Sequence, residues 1–126
     1  MRVAASSAPH LICAADALAD GGAGVRFTVQ WAGGSQSAFV VRYRGAVYAY
    51  INRCAHRALE LDWEPGRFYD AEARYLVCAT HGALYEPDTG RCVAGSCTGG
   101  LVKLATFENN SYVYLAADAA VRVSGD

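Results

Sequence analysis

Two short motifs, Cys54-Ala55-His56 and Cys78-Ala79-Thr80-His81, constrain this chain more than any other feature. Each offers one thiolate and one imidazole, and residues 57–77 separate them. Two Cys and two His can close a metal site, and their order along the chain restricts which one. A zinc finger groups its thiols together and its imidazoles together. Here each half alternates sulfur with nitrogen, which suits a [2Fe–2S] cluster with both Cys on one iron and both His on the other. Only His10 remains outside these motifs. A structural zinc domain is the alternative that the same donors allow, and colour separates the two.

Bulk properties narrow the setting. A length of 126 residues predicts one domain over 1–126. Apolar residues make up 53% and charged residues 18%, enough apolar surface to order the chain. A formal charge of −1 offers no nucleic-acid-scale basic field. No apolar run reaches the roughly 18 residues of a bilayer span. The segment from Met1 to His10 has one basic residue and no continuous hydrophobic stretch, so it does not read as a signal peptide. These features predict a cytoplasmic protein without nucleic-acid or membrane partners. In a reducing compartment, Cys13, Cys92 and Cys97 are expected as buried thiols rather than as a Cys92–Cys97 disulfide.

The patterning is β throughout. Val25–Trp31 alternates apolar and polar residues as a half-buried strand should, and Gly33-Gly34-Ser35 interrupts it. Ala38–Tyr43 and Ala46–Ile51 follow, joined at Arg44-Gly45, and the second of them delivers the first motif. Phe68-Tyr69-Asp70 and Arg74–Cys78 predict a hairpin around Ala71-Glu72-Ala73. Beyond the second motif, Leu84-Tyr85-Glu86 and Arg91-Cys92-Val93 flank Pro87-Asp88-Thr89-Gly90, a turn in which Pro presets φ and Gly permits a positive φ. Leu101–Phe107 and Ser111–Leu115 predict a last hairpin, and only Ala14–Leu18 hints at helix. Both motifs therefore lie in loops held by hairpins. A fixed strand scaffold suits a redox centre, because little has to reorganise when an electron moves.

The order of four donors, the strand before each motif and Gly82 after the second resemble the Rieske iron–sulfur family, over about Val25 to Leu115. The resemblance implies an all-β fold of three stacked antiparallel sheets with an inserted cluster-binding hairpin unit, here about residues 53–92. It implies Cys54 and Cys78 on the inner iron, and His56 and His81 on the outer iron through Nδ1 with their Nε2 edges near solvent. The gap between the motifs is a few residues longer than in most Rieske ferredoxins, with the extra residues expected within Leu61–Arg67. Leu59 and Thr80 stand where quinol-oxidising relatives carry a disulfide, so that bridge cannot form. Ala83 stands in place of a serine donor to a bridging sulfide, whereas Tyr85 matches a tyrosine that donates to a ligand sulfur. One donor lost and one kept implies the lower half of the Rieske range, roughly −150 to +50 mV. Arg57 matches the Cys-x-His-Arg of ring-hydroxylating oxygenases, but His10 alone remains here and cannot supply the two histidines of their mononuclear iron site.

The resemblance thus implies a small electron carrier that takes single electrons from a flavoprotein reductase and passes them to a terminal oxygenase or similar enzyme. It would make and break no bonds itself. The alternative is a noncatalytic Rieske subunit that stays bound within a larger oxidoreductase. Arg57 is either a solvated loop charge or part of a docking surface, and Trp63 either packs its loop or joins that surface. The tyrosines at 43, 48, 50, 112 and 114 alternate along strands and are expected to pack.

Overall fold

The structure, a computed structural model, describes residues 9–31, 34–53, 60–62, 64–78, 82–95, 99–116 and 122–123. Its elements in chain order are β1 (His10–Ala14), a 3₁₀ turn (Ala15–Ala17), β2 (Val25–Trp31), β3 (Gly34–Tyr43) and β4 (Ala46–Ile51). They continue with β5 (Leu76–Val77), β6 (Leu84–Tyr85), β7 (Cys92–Ala94), β8 (Lys103–Leu104), β9 (Thr106–Asn109), β10 (Tyr112–Leu115) and β11 (Arg122–Val123). Three sheets result, ordered β1-β10-β9, β11-β2-β3-β4-β8 and β5-β6-β7, and all their strand pairs are antiparallel.

The five-stranded sheet lies between two cores, which its sequence explains. Successive side chains of a strand point to opposite faces. Phe39 and Val41 of β3 and Tyr50 of β4 enter one core, with Phe68, Leu76, Cys78 and Tyr85. Their neighbours Ala38, Val40, Ala49 and Ile51 enter the other, with Val113 and Leu115. A strand buried on both faces reads as a continuous apolar run, as Ala38-Phe39-Val40-Val41 does. Phe39 is paired with Tyr50 across the ladder and stacks on Phe68 at 3.9 Å between ring centroids. The core that holds Cys78 is thus floored by the central sheet and roofed by the β5-β6-β7 sheet.

Several sequence expectations need adjustment. Gly34 and Ser35 belong to β3, where they pair with Trp31 and Gln30 of β2. The run Leu101–Phe107 divides in two: Leu104 pairs with Ala49 of the central sheet, whereas Phe107 pairs with Tyr114 of the other. Tyr112 is exposed rather than packed. Strand β1 was not legible, since its only partner is β10 at the far end of the domain. Among the described residues no helix is long and apolar enough to cross a membrane.

Candidate metal centre

The second motif is positioned from both ends by main-chain bonds. Cys78 N–H donates to Ala83 O at 2.9 Å, and Gly82 N–H donates to Cys78 O at 2.7 Å. These two bonds close the neck of the segment that carries Cys78 and His81. Gly82 has φ +73°, a left-handed value that glycine adopts without Cβ strain. Cys78 directly follows β5, and Val77 N–H donates to Phe68 O, so the strand pins the thiol to the core. Its side chain is fully buried. A buried sulfur at the neck of a tight loop fits a thiolate ligand whose charge is neutralised by iron rather than by water.

Ala83 and Tyr85 lie in the same core as Cys78 and are buried. A Cβ built on Gly95 would come within 2.8 Å of Ala83 Cα, so the backbone after β7 rests directly on Ala83. The small side chain at 83 is therefore a packing requirement as well as the loss of a hydroxyl. Tyr85 of β6 pairs with Leu76 of β5, which puts its backbone beside the strand leading to Cys78.

The first motif follows β4, and its candidate ligands Cys54 and His56 lie with Arg57 outside the described residues. So do His81, Leu59, Trp63, Thr80 and Cys97. Accordingly, no group of three or more metal-binding side chains comes together among the described residues. What is described is the frame on either side of this motif, and it contains residues that sequence reasoning missed. Asn52 and Asp62 are the two buried polar side chains among the described residues. Asn52 Nδ2 donates to Asp62 Oδ1 at 2.9 Å and to Ser37 Oγ at 3.2 Å. Leu61 N–H donates to Asn52 Oδ1 at 2.9 Å, and Gly66 N–H donates to Asp62 Oδ2 at 2.9 Å. Arg26 Nε stands 3.6 Å from Asp62 Oδ2 and supplies the compensating charge. The signal available in the sequence was weak: an Asn two residues ahead of Cys54, and an Asp that Glu60 and Glu64 flank as one acidic residue among three.

The segment expected to hold the extra residues is anchored rather than loose. Leu61 and Asp62 are buried, and Gly24 N–H donates to Gly66 O at 2.8 Å. Cys92 is disulfide-bonded, against the expectation of a reduced thiol. Cys13, by contrast, is a free thiol whose pKa is raised by burial, an effect the nearby Arg42 opposes.

Comparison with known proteins agrees with this geometry. The ferredoxin of carbazole 1,9a-dioxygenase from Nocardioides aromaticivorans IC177 superposes with a TM-score of 0.69 at 24% identity, covering 89% of this chain and 100% of that one. The Sphingomonas yanoikuyae B1 ferredoxin gives 0.68 at 17% identity, covering 86% and 98%. The terminal oxygenase of carbazole 1,9a-dioxygenase from Novosphingobium sp. KA1 gives 0.72 at 20% identity, covering 90% of this chain but 30% of that one. Comparison with curated proteins returns no match. At these identities the superpositions speak for the fold. A family model described as the Rieske [2Fe-2S] domain matches residues 8–108. The chain therefore belongs to the Rieske [2Fe–2S] domain family, and its cofactor is a [2Fe–2S] cluster.

Proposed function

We propose that this protein is a one-electron carrier whose cluster is held by Cys54, His56, Cys78 and His81, and that it passes electrons from a flavoprotein reductase to a terminal oxygenase or similar enzyme. The observation that carries the reading is the placement of Cys78: buried, at the end of β5, in a loop closed by reciprocal bonds with Gly82 and Ala83. When bound, the [2Fe–2S] cluster supplies one-electron redox chemistry. The chain's own contribution is to hold the ligands still. The core beneath Cys78 is packed by Phe39, Tyr50, Leu76 and Tyr85, and it keeps water from the sulfur side. The fully buried Tyr85 serves in this reading as a donor to a ligand sulfur, favouring the reduced state, while Ala83 can make no such bond. No nucleophile or general base is required, and the protein is not itself an enzyme in this reading.

The partner classes follow from the neighbours, which include a complex of reduced oxygenase and oxidized ferredoxin in carbazole 1,9a-dioxygenase. That complex supports a carrier that docks on an oxygenase. A second reading, a noncatalytic Rieske subunit, draws on the equally good superposition with part of an oxygenase chain. We place the protein in the cytoplasm, although a disulfide-bonded Cys92 is unusual there.

The test is direct. The purified protein should be coloured and carry about two irons and two sulfides per chain, with an EPR signal of average g below 2 on reduction. Cys54→Ser, His56→Ala, Cys78→Ser and His81→Ala should each abolish that signal. A colourless protein containing one zinc would overturn the assignment. Reduction by a flavoprotein reductase, with the reduced protein eluting alone on size exclusion, separates carrier from bound subunit.

A further inference from the structure

The polar assembly beside the first motif connects points that the rest of the fold leaves independent. Asn52 stands two residues before Cys54, and Asp62 stands six residues after His56. We propose that Asn52 and Asp62, backed by Arg26 and Ser37, are positioning residues that bring together the two ends of the Cys54–His56 loop and so hold the cluster in place. The proposal rests on the assignment of Cys54 and His56 as ligands.

Four features support it. First, the ladder between β3 and β4 is complete without the side chains, ending in Ala38↔Ile51 and in Asn52 N–H donating to Ser37 O. The main chain therefore sets that register by itself, and the Asn52 side chain adds to it one contact with β3, Nδ2 donating to Ser37 Oγ. Second, both ends of its amide are engaged with residues beyond the motif, Oδ1 with Leu61 and Nδ2 with Asp62. Third, the Asp62 side chain is fully buried, a placement that is costly unless both oxygens are satisfied. Both are: Oδ1 by Asn52, Oδ2 by Gly66 N–H with Arg26 nearby. Fourth, Arg26 also donates to Ser37 Oγ at 3.3 Å and to Glu60 Oε1 at 2.8 Å, so one guanidinium on β2 spans the β3 residue that Asn52 meets and the chain after the motif. A loop whose ends are already joined loses less conformational freedom on taking up metal.

Donor direction makes the proposal testable. Asn52→Asp sets two carboxylates against each other. Asp62→Asn turns an amide NH₂ toward an oxygen-free neighbour: rotated one way it meets Gly66 N–H, rotated the other it meets Asn52 Nδ2. In the double variant N52D/D62N, the carboxylate at 52 accepts from Leu61 N–H and from the amide at 62, whose oxygen accepts from Gly66 N–H. The bonds to Leu61 and Gly66 return and the central one is reversed; the contact with Ser37 is kept by its hydroxyl donating to the new carboxylate, the charge beside Arg26 moves from 62 to 52, and net charge is unchanged.

The experiment uses the holoprotein and follows the decay of its visible absorbance in an iron chelator, with thermal melting of holo and apo forms alongside. Each single variant should lose the cluster about 10- to 100-fold faster, as outer-shell changes do, with a larger fall in holo than in apo melting temperature. The double variant should return most of the way to the parent rate. Serine 37 offers a milder probe should a single variant accumulate no holoprotein: Ser37→Ala should give a smaller acceleration of the same kind. Wild-type loss rates in the variants, or equal falls in holo and apo melting with no rescue in the double variant, would show a purely structural role and overturn the proposal. Cys54→Ser run in parallel separates the failures. Full retention of the cluster there sinks the ligand assignment and this proposal with it. Loss there, with wild-type rates in the other variants, sinks the proposal alone.

Discussion

The hydroxyl of Tyr50 donates to the carbonyl oxygen of Pro87 at 2.7 Å, inside the protein. This bond joins the central sheet to the turn of the hairpin that follows the second motif. Burial raises the pKa of the phenol far above its usual value, so it stays a donor at every accessible pH. Tyr50→Phe leaves the Pro87 carbonyl without this partner and should cost about 1–3 kcal/mol in urea unfolding. A change within about 0.5 kcal/mol would mean the turn finds water instead.

The turn itself sharpens that prediction. Gly90 has φ +78°, and a Cβ built on it would stand 2.7 Å from Tyr50 Cε1. Gly82 has a similar φ of +73°, but among the described residues nothing stands within 4 Å of its Cβ position. Gly82→Ala should therefore cost only the left-handed strain of about 1–2 kcal/mol, and Gly90→Ala distinctly more. Equal melting temperatures for the two variants would contradict the steric argument.

Arg42 of β3 joins the central sheet to the β1-β10-β9 sheet. It donates to Leu18 O at 2.9 Å, to Ala15 O at 3.1 Å and to Glu108 Oε2 at 2.8 Å. Arg42→Ala frees three carbonyls, that of Gly45 at 3.0 Å included, as well as the carboxylate and should cost about 2–3 kcal/mol. Glu108→Gln removes a half-exposed ion pair and should cost at most about 1 kcal/mol. The hydrogen bond from Arg42 lowers the Glu108 pKa. Its stabilisation is therefore present above the unfolded-state value and lost as pH falls through the lower folded value. The gap between wild type and E108Q in urea midpoints should accordingly close in acid and stay constant above neutrality.

The reduction potential reports on Ala83 and Tyr85. Tyr85→Phe should lower it, and Ala83→Ser should raise it if the new hydroxyl reaches a sulfur. One hydrogen bond of about 1 kcal/mol corresponds, for one electron, to a ceiling of about 40 mV. Because the Gly95 backbone rests on Ala83, the serine should also lower the melting temperature. Protein-film voltammetry beside thermal melting checks both. An unchanged potential in Tyr85→Phe would remove Tyr85 from the tuning of the centre.

Strands β2 and β4 were legible to the residue, because their partners lie next in sequence and their alternation is undisturbed. The turn between β3 and β4 was legible too, with Arg44 and Gly45 both at positive φ as a two-residue turn with right-handed strand twist requires, whereas β9 runs on to Asn109 and the last turn takes its positive φ at Asn110 and Ser111. Strands β1 and β11 were not, since a short edge strand gains its identity from a remote partner. The division of the run after Leu101 was equally hidden, because its two halves are claimed by different sheets.

The order Cys-x-His and Cys-x-x-His pointed by itself to the family that the Rieske model then matched over residues 8–108, since motif order and spacing are properties of the chain. Only the tertiary structure decided what holds that centre. The closure of Cys78 by Gly82 and Ala83, and the meeting of Asn52 with Asp62 beneath Arg26, depend on backbone directions that adjacent residues do not encode. Hydrogen bonds between distant segments exist only once the sheets have packed, and burial then makes their donor and acceptor geometry exacting.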